Sequence, residues 1–440
     1  MPCRLIIVGG GAAGLMASVT AGDLRLPALL VERRHRPGLK LLLCGNNRCN
    51  VSNDSDTREM LSEYCPEVGR FLSEAITAFP PDALRAWFRT HGLPTIVRGR
   101  RIYPASENSD DVLHCFLDNM RELQCPVILN CPVAEIAKEN GLFTVKTEIG
   151  LSFEAENILL CTGGCSYPKT GSVGDGFRFA QALGHTVLEP KPGLAGMDIG
   201  DCFLSYGHES DIPDVAVTID GTGIRTRGNL LCSGGILRGS AVFDSVSAIS
   251  RSACDVTGVT IDFAPSMSLQ QAAAIARNGN LSRLAIPPEL AAPFSQFLKR
   301  LGSAEEQAAA IKSFRLPFQG IRPLKEAIVT VGGVSLDEIN PETMESTIVP
   351  GLYFAGEVMD VDGPTGGFNL HAAFSTARLA VNSIARKCLP PRKDAPRRNS
   401  PPASASDNSP KNRYSDPRAL SRSFDAPRRN PHGSSRKGRF

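Results

Sequence analysis

Long apolar runs are absent from this chain. No stretch reaches the roughly 18 residues that a membrane-spanning helix needs. The apolar start at Leu5–Val8 is broken at once by Gly9, Gly10 and Gly11, so it does not read as the core of a signal peptide. Histidine is scarce, at 7 in 440 residues. The pair Cys161-x3-Cys165, with His185 beyond it, lacks four clustered ligands, and no metal site is expected. Spacing supports no Ser/His/Asp triad either. Cysteine, by contrast, is plentiful at 13 residues, but it is scattered, and members such as Cys131 and Cys161 sit in apolar segments. That usage reads as reduced buried thiols in a reducing compartment, with the cytoplasm the expected location.

The formal charge of +3 conceals two unlike parts. Residues 389–440 hold 13 Lys/Arg and 4 Asp/Glu, a net of +9, which leaves the body 35 Lys/Arg against 41 Asp/Glu, a net of −6. The tail is rich in Pro, Ser, Arg and Asn, and Asp394-Ala-Pro-Arg-Arg-Asn399 recurs as Asp425-Ala-Pro-Arg-Arg-Asn430. Such composition cannot bury a core and is expected to be disordered. Its charge suits nucleic acid or an anionic surface as a partner, or simply a solvated extension. The remaining length exceeds one ordinary domain, so two folded domains are expected.

The most informative segment runs from Leu5 to Glu32. An apolar Leu-Ile-Ile-Val strand turns through Gly9-Gly10-Gly11-Ala12-Ala13-Gly14, continues as an apolar helix, and ends in Leu29-Leu30-Val31-Glu32-Arg33. Gly9 permits the tight turn, Gly11 lets backbone approach a pyrophosphate, and Gly14 packs helix against strand. Glu32, about twenty residues on, is placed for a ribose 2′-hydroxyl. The helix N-terminus offers amides and positive dipole to the phosphates.

Further along, Phe71–Thr90 and Ser109–Leu123 read as amphipathic helices, with the basic strand-like Ile96–Pro104 between them. Val127–Ile136, Leu142–Thr147 and Ile158–Cys161 read as β-type runs of an antiparallel crossover. The last of these ends at Thr162-Gly163-Gly164, where glycines again let backbone lie close to a ligand. Residues 190–327 change style, with short strands such as Val215–Ile219, glycine turns, and helices at Ser268–Arg277 and Ser303–Phe314. We read 1–189 and 328–388 as one discontinuous Rossmann-like domain of an α/β fold, 190–327 as an inserted substrate or cap domain, and 389–440 as the tail. After the insert, Gly351–Phe354 is an apolar strand that ends at Gly356-Glu357, an acid suited to the ribityl chain of a flavin. The loop Asp360–Asn369, whose two acids shape its turn, then feeds a helix over Leu370–Ala385. A helix N-terminus there can stabilise negative charge on a reduced flavin. A nicotinamide enzyme has no use for this late segment, so FAD is the expected dinucleotide.

Gly9 to Gly14, Gly38-Leu-Lys40-Leu41 with Arg48-Cys49-Asn50-Val51-Ser52-Asn53, Thr162–Gly164 with Ser166–Gly171, and Gly351–Ala373 together resemble the BaiN/RdsA-type, aminoacetone-oxidase-like flavoproteins over about residues 4–386. The resemblance implies a Rossmann-like FAD domain roofed by an inserted β-barrel-like and helical domain, with NAD(P)H as reductant. It implies that Gly9, Gly11, Ala12, Ala13 and Gly14 hold the pyrophosphate, with Glu32 and Arg33 at the adenosine ribose. Val133 would lie near adenine and Thr162, Gly163 and Gly164 beside the adenosine half. Lys40, Leu41, Arg48 and Asn50 would lie along the flavin, with Gly356, Glu357, Gly367, Asn369 and Leu370 at ribityl and ring.

The chain also departs from that pattern. Cys44-Gly45-Asn46-Asn47 stands where the family carries Ser and three glycines. Asn tolerates positive φ better than most residues, so the loop is expected to survive. Gly234-Gly235-Ile236 stands where relatives often carry His-Tyr-Gly, which removes two polar side chains from the substrate side. Cys44-x4-Cys49 has the spacing of the redox pair in flavin disulfide reductases, yet there is no second Gly-x-Gly-x-x-Gly and no His-Glu pair near the C-terminus. His371 opens the last helix as a candidate proton donor, with a plain helix N-terminal residue the favoured reading. The expected chemistry is hydride transfer through flavin N5: NAD(P)H or an oxidisable substrate reduces FAD, and the partner is a small organic substrate, of activated C=C or amine type, or dioxygen. A dithiol enzyme, or a non-enzymatic flavin protein docked through its tail, is the alternative, and the catalytic residues are not legible.

Overall fold

The computed structural model describes residues 3–389, apart from 206–208, 253 and 280. The basic tail therefore lies outside the described residues, save Leu389. At the centre of the first sheet, Cys3–Val8 runs parallel to Ala28–Val31, with Leu5 opposite Ala28, and to Ser152–Leu160, with Val8 opposite Leu160. Val127–Ile128 extends the sheet beyond Ala28–Val31. Ser152–Leu160 carries the antiparallel hairpin Val133–Glu139/Leu142–Thr147 along its first half and the parallel strand Leu352–Phe354 along its last. Strands covered on both faces read as unbroken apolar runs, and Leu5, Ile6 and Ile7 are fully buried. Each such side chain contributes roughly 1.5–3 kcal/mol by leaving water.

Two helices flank this sheet near the site: Ala12–Leu24 and the 21-residue Phe368–Cys388. One expected helix differs. The spacing over Phe71–Thr90 is broken into Pro66–Ala78 and Pro81–Thr90. Pro80 and Pro81 supply no amide hydrogen and force the preceding residue out of the helical region. Phe79 accordingly sits at φ −144. The segment Ile96–Pro104 is a hairpin, Thr95–Arg98 with Arg101–Pro104, and not a single strand.

Residues between 190 and 327 build a second, seven-stranded antiparallel sheet. Its edge strands, Phe314–Leu316 and Phe318–Ile321, are neighbours in sequence with only Pro317 between them, so the sheet must curl until its edges approach. Helices at Ser240–Arg251, Leu269–Asn278, Pro288–Lys299 and Ala304–Lys312 accompany it. Ser268 and Ser303 open two of these with reciprocal capping boxes to Gln271 and Glu306. Buried apolar residues fall into two clusters, one drawn from 5–180 and 334–385, the other from 195–327. Both lie within one compact unit.

Candidate functional site

A cavity of about 1240 Å³ is lined by residues of the first cluster and by residues between 194 and 329, among them Leu194, Leu231, Arg238 and Lys325. That volume exceeds the roughly 300–1,000 Å³ of an ordinary small-molecule site. Every residue that the resemblance assigns to the cofactor lines it except Gly14 and Gly164. Those two pack beneath its wall. A Cβ on Gly14 would lie 1.9 Å from the Gly9 carbonyl oxygen, and one on Gly164 would lie 2.3 Å from Thr330 Oγ1.

At one end, the space over Gly11 is open, with nothing within 4 Å of a Cβ placed there. The helix Ala12–Leu24 begins at Gly11 with no side-chain cap and no acid in its first turn. Its first amides are left for a ligand anion, as a pyrophosphate requires. Glu32 is buried, its carboxylate accepting from the amides of Gly10 at 2.6 Å and Arg34 at 2.7 Å. Burial pushes its pKa up, and those two amides oppose the shift. Arg33 is turned aside to pair with Asp175. Val133 and Cys131 close this end.

Toward the other end, Lys40 Nζ donates to Glu357 Oε2 and to Ser166 Oγ, each at 2.7 Å. The Thr330 amide donates to Glu357 Oε1 at 2.9 Å. Ser166 Oγ also donates to Glu357 Oε1, at 3.1 Å, so Glu357 is fixed at the strand end from three directions. The last helix begins at Gly367, φ 100, again with no side-chain cap. A Cβ there would strike the Ser52 carbonyl at 2.4 Å, so only glycine lets the helix tip meet the loop that follows Asn50. Asn369 uses both ends of its amide on the loop, accepting from the Gly363 amide at 2.9 Å and donating to its carbonyl at 2.7 Å. Arg48 is largely exposed beside the Tyr103 ring, with Glu107 at 3.8 Å.

The Cys44–Asn50 loop holds Gly45, Asn46, Asn47 and Cys49 all at positive φ, with Asn46 at 55 and Asn47 at 63. Both asparagines thus sit in the left-handed region, which asparagine tolerates better than most residues. Cys44 lines the cavity, and Cys49 is buried behind it. His371 is fully buried, its Nδ1 2.9 Å from Ser52 Oγ, and it does not line the cavity. Burial pulls its pKa down to about 4. Asp360 and Asp362 are held by Arg251, whose Nη2 donates to Asp360 Oδ1 at 3.0 Å and whose Nε donates to Asp362 Oδ1 at 2.6 Å. Asp244, on the same helix, accepts the Thr365 amide at 2.7 Å and hydroxyl at 3.1 Å.

Sequence reasoning passed over two cavity residues. Tyr167 sits at φ 51, a left-handed conformation unusual for an aromatic residue, with its carbonyl accepting from the amide and hydroxyl of Thr170. Arg238 reaches the cavity from the strand Ile236–Arg238 and has no carboxylate partner among the described residues. Burial pushes the Tyr167 phenol up, and the Arg238 charge opposes it. Tyr167 fell inside a quoted motif, so a polar aromatic beside Pro168 was its available signal. Arg238 had none.

The family described as HI0933-like protein Rossmann domain matches residues 3–383. The chain belongs to this family. It is a flavin-dependent oxidoreductase with a Rossmann-like fold. Among relatives, the ribosomal RNA dihydrouridine synthase of Escherichia coli (strain K12) is 28% identical over 398 residues, covering 86% of this chain and 97% of that one. The 3-dehydro-bile acid delta(4,6)-reductase of Clostridium scindens is 26% identical over 413 residues, covering 87% and 99%. The 3-ketosteroid-delta4-(5alpha)-dehydrogenase of Rhodococcus jostii RHA1 is similar in fold, with a TM-score of 0.52 at 14% identity, covering 87% and 97%. Among the described residues, no helix is long and apolar enough to cross a membrane.

Proposed function

We propose that this protein is an FAD-dependent reductase of a carbon–carbon double bond conjugated to a carbonyl, carried on an anionic substrate, with NAD(P)H as donor. The observation that carries this reading is one cavity lined both by the residues at two uncapped helix N-termini and by Arg238 and Lys325. Gly9, Gly11, Ala12 and Ala13 would cradle the pyrophosphate, Glu32 the ribose, and Lys40, Glu357 and Asn50 the flavin half. Bound FAD supplies two-electron hydride chemistry at N5. The chain's own part is to exclude water, orient the acceptor, and hold a proton where the second carbon needs it.

We assign that proton to Tyr167 Oη. Tyr167 and Arg238 both line the cavity, and the Arg238 charge favours the phenolate that proton loss leaves. The relatives named a dihydrouridine synthase and a delta(4,6)-reductase both saturate C=C bonds. Lys325, like Arg238, lacks a carboxylate partner among the described residues, and that charge favours a phosphate-bearing substrate. Uridine within RNA is therefore the first acceptor to try, ahead of an enone acid.

The experiment is an anaerobic absorbance titration of the purified protein with NADH, then NADPH, followed by addition of RNA or an enone acid. Flavin bands bleached by one donor and restored by one acceptor are expected. A colourless protein that takes up no added FAD would overturn the proposal.

A further inference from the structure

The loop that closes the flavin end of the cavity has chemistry that C=C reduction does not use. The Cys49 amide donates to the Cys44 carbonyl at 2.9 Å. With standard backbone dimensions, that contact bounds the Cα–Cα separation at about 6.8 Å, inside the roughly 7 Å a disulfide can span. The turn is made by residues in the left-handed region, and Cys49 itself stands at φ 55, where cysteine is rarely found. An over-determined backbone of this kind points to function. Cys44 lines the cavity with Lys40, Leu41 and Asn50, whereas Cys49 is fully buried directly behind it. Both are free thiols.

We propose that Cys44 and Cys49 form a two-electron dithiol/disulfide couple in exchange with the flavin. As the S–S bond forms, the two S–H bonds break. The electron pair and one proton pass to oxidised flavin, and the second proton passes to solvent. The reverse step reopens the bond and returns both thiols. The two sulfurs are unequal in the way the exchange needs. A hydrogen bond from Cys49, the Asn50 amide and the Lys40 charge draw the Cys44 pKa down against its burial, while the Cys44 thiol and burial push Cys49 well up. Cys44, which lines the cavity, is thus the more acidic of the two sulfurs, and Cys49 behind it the less acidic.

The inference rests on the flavin reading above, and one titration of the holoenzyme separates the two. Air-oxidised and dithionite-reduced samples are alkylated after denaturation and digested with trypsin, which cuts between Arg48 and Cys49. In the oxidised sample a linked pair of peptides, Leu41–Arg48 with Cys49–Arg58, is expected, and the alkylatable thiols fall by two from 13. Anaerobic dithionite should be consumed at four electrons per flavin in the wild type and two in Cys49→Ser. If that variant does not fold, the wild-type peptide and electron counts still decide. Air-oxidised wild type that yields Cys44 and Cys49 both alkylatable and consumes only two electrons per flavin overturns the couple alone. A protein that holds no flavin overturns the reading on which it rests.

Discussion

At the scale of single residues, backbone conformation governs what this site tolerates. Asn47 at φ 63 is acceptable to asparagine and costly for a β-branched side chain. Asn47→Val should lose about 1–2 kcal/mol of stability, read as a lowered midpoint in urea. An unchanged midpoint would show that the loop relaxes. Tyr167 is a different case, because its backbone is bound through Thr170 while its hydroxyl is the proton donor proposed above. Tyr167→Phe should slow acceptor reduction about 100-fold or more, the usual worth of a general acid, while flavin reduction by NAD(P)H proceeds at the wild-type rate. Equal loss in both half-reactions would mean a structural part for Tyr167. The pH profile of the acceptor half-reaction should also lose its alkaline limb in that variant.

At the scale of elements, the helix Ser240–Arg251 straps the second cluster onto the loop that launches the last helix. It does so through Arg251 on Asp360 and Asp362 and through Asp244 on Thr365. Removing the cation leaves two poorly exposed carboxylates without compensation. Arg251→Met should therefore cost about 3 kcal/mol, and adding Asp362→Asn should recover part of it in the same denaturation assay. The strap also has a pH signature. Burial pushes Asp244 and Asp362 up to about 6, with the Thr365 donors opposing it at Asp244 and the Arg251 charge opposing it at Asp362. An acid whose folded pKa exceeds its unfolded value, roughly 3.9, binds more protons folded than unfolded between the two. Its contribution is therefore fully present below about pH 4 and is lost as pH rises through about 6. Asp244→Asn should flatten the fall in stability between pH 5 and 7 relative to wild type, by calorimetry. Parallel curves would remove Asp244 from the account.

At the scale of the whole molecule, the cavity belongs to neither cluster alone. FAD that binds the folded protein and not the unfolded chain raises stability by about 2.7 kcal/mol at a hundredfold excess over Kd. Hydrogen exchange on adding FAD should slow at 9–14, 40–50 and 366–372 together. Protection confined to 9–14 would reduce the site to a nucleotide pocket. Truncation after residue 388 should leave that protection intact while weakening retention on RNA at low salt. If retention is unchanged, the basic tail is a solvated extension.

What was legible from the residues was local. The strand, glycine turn, helix and acid of Leu5–Glu32, and the strand and helix after residue 350, follow from periodicity and from the backbone freedom of glycine over short separations. The break at Pro80-Pro81 was written there too, but the apolar spacing overrode it. Tertiary structure alone decided which charges meet. Lys40 and Glu357 are 317 residues apart in sequence, and no local rule pairs them. Arg251 with Asp360 and Asp362, and Arg238 with Tyr167, likewise arise from packing the inserted sheet over the first. The same packing withdrew His371 from the site, since helix phase buries its ring against Ser52. Propensity and pattern act within a few turns of chain, whereas a catalytic wall is made where two separately folded surfaces close on one another.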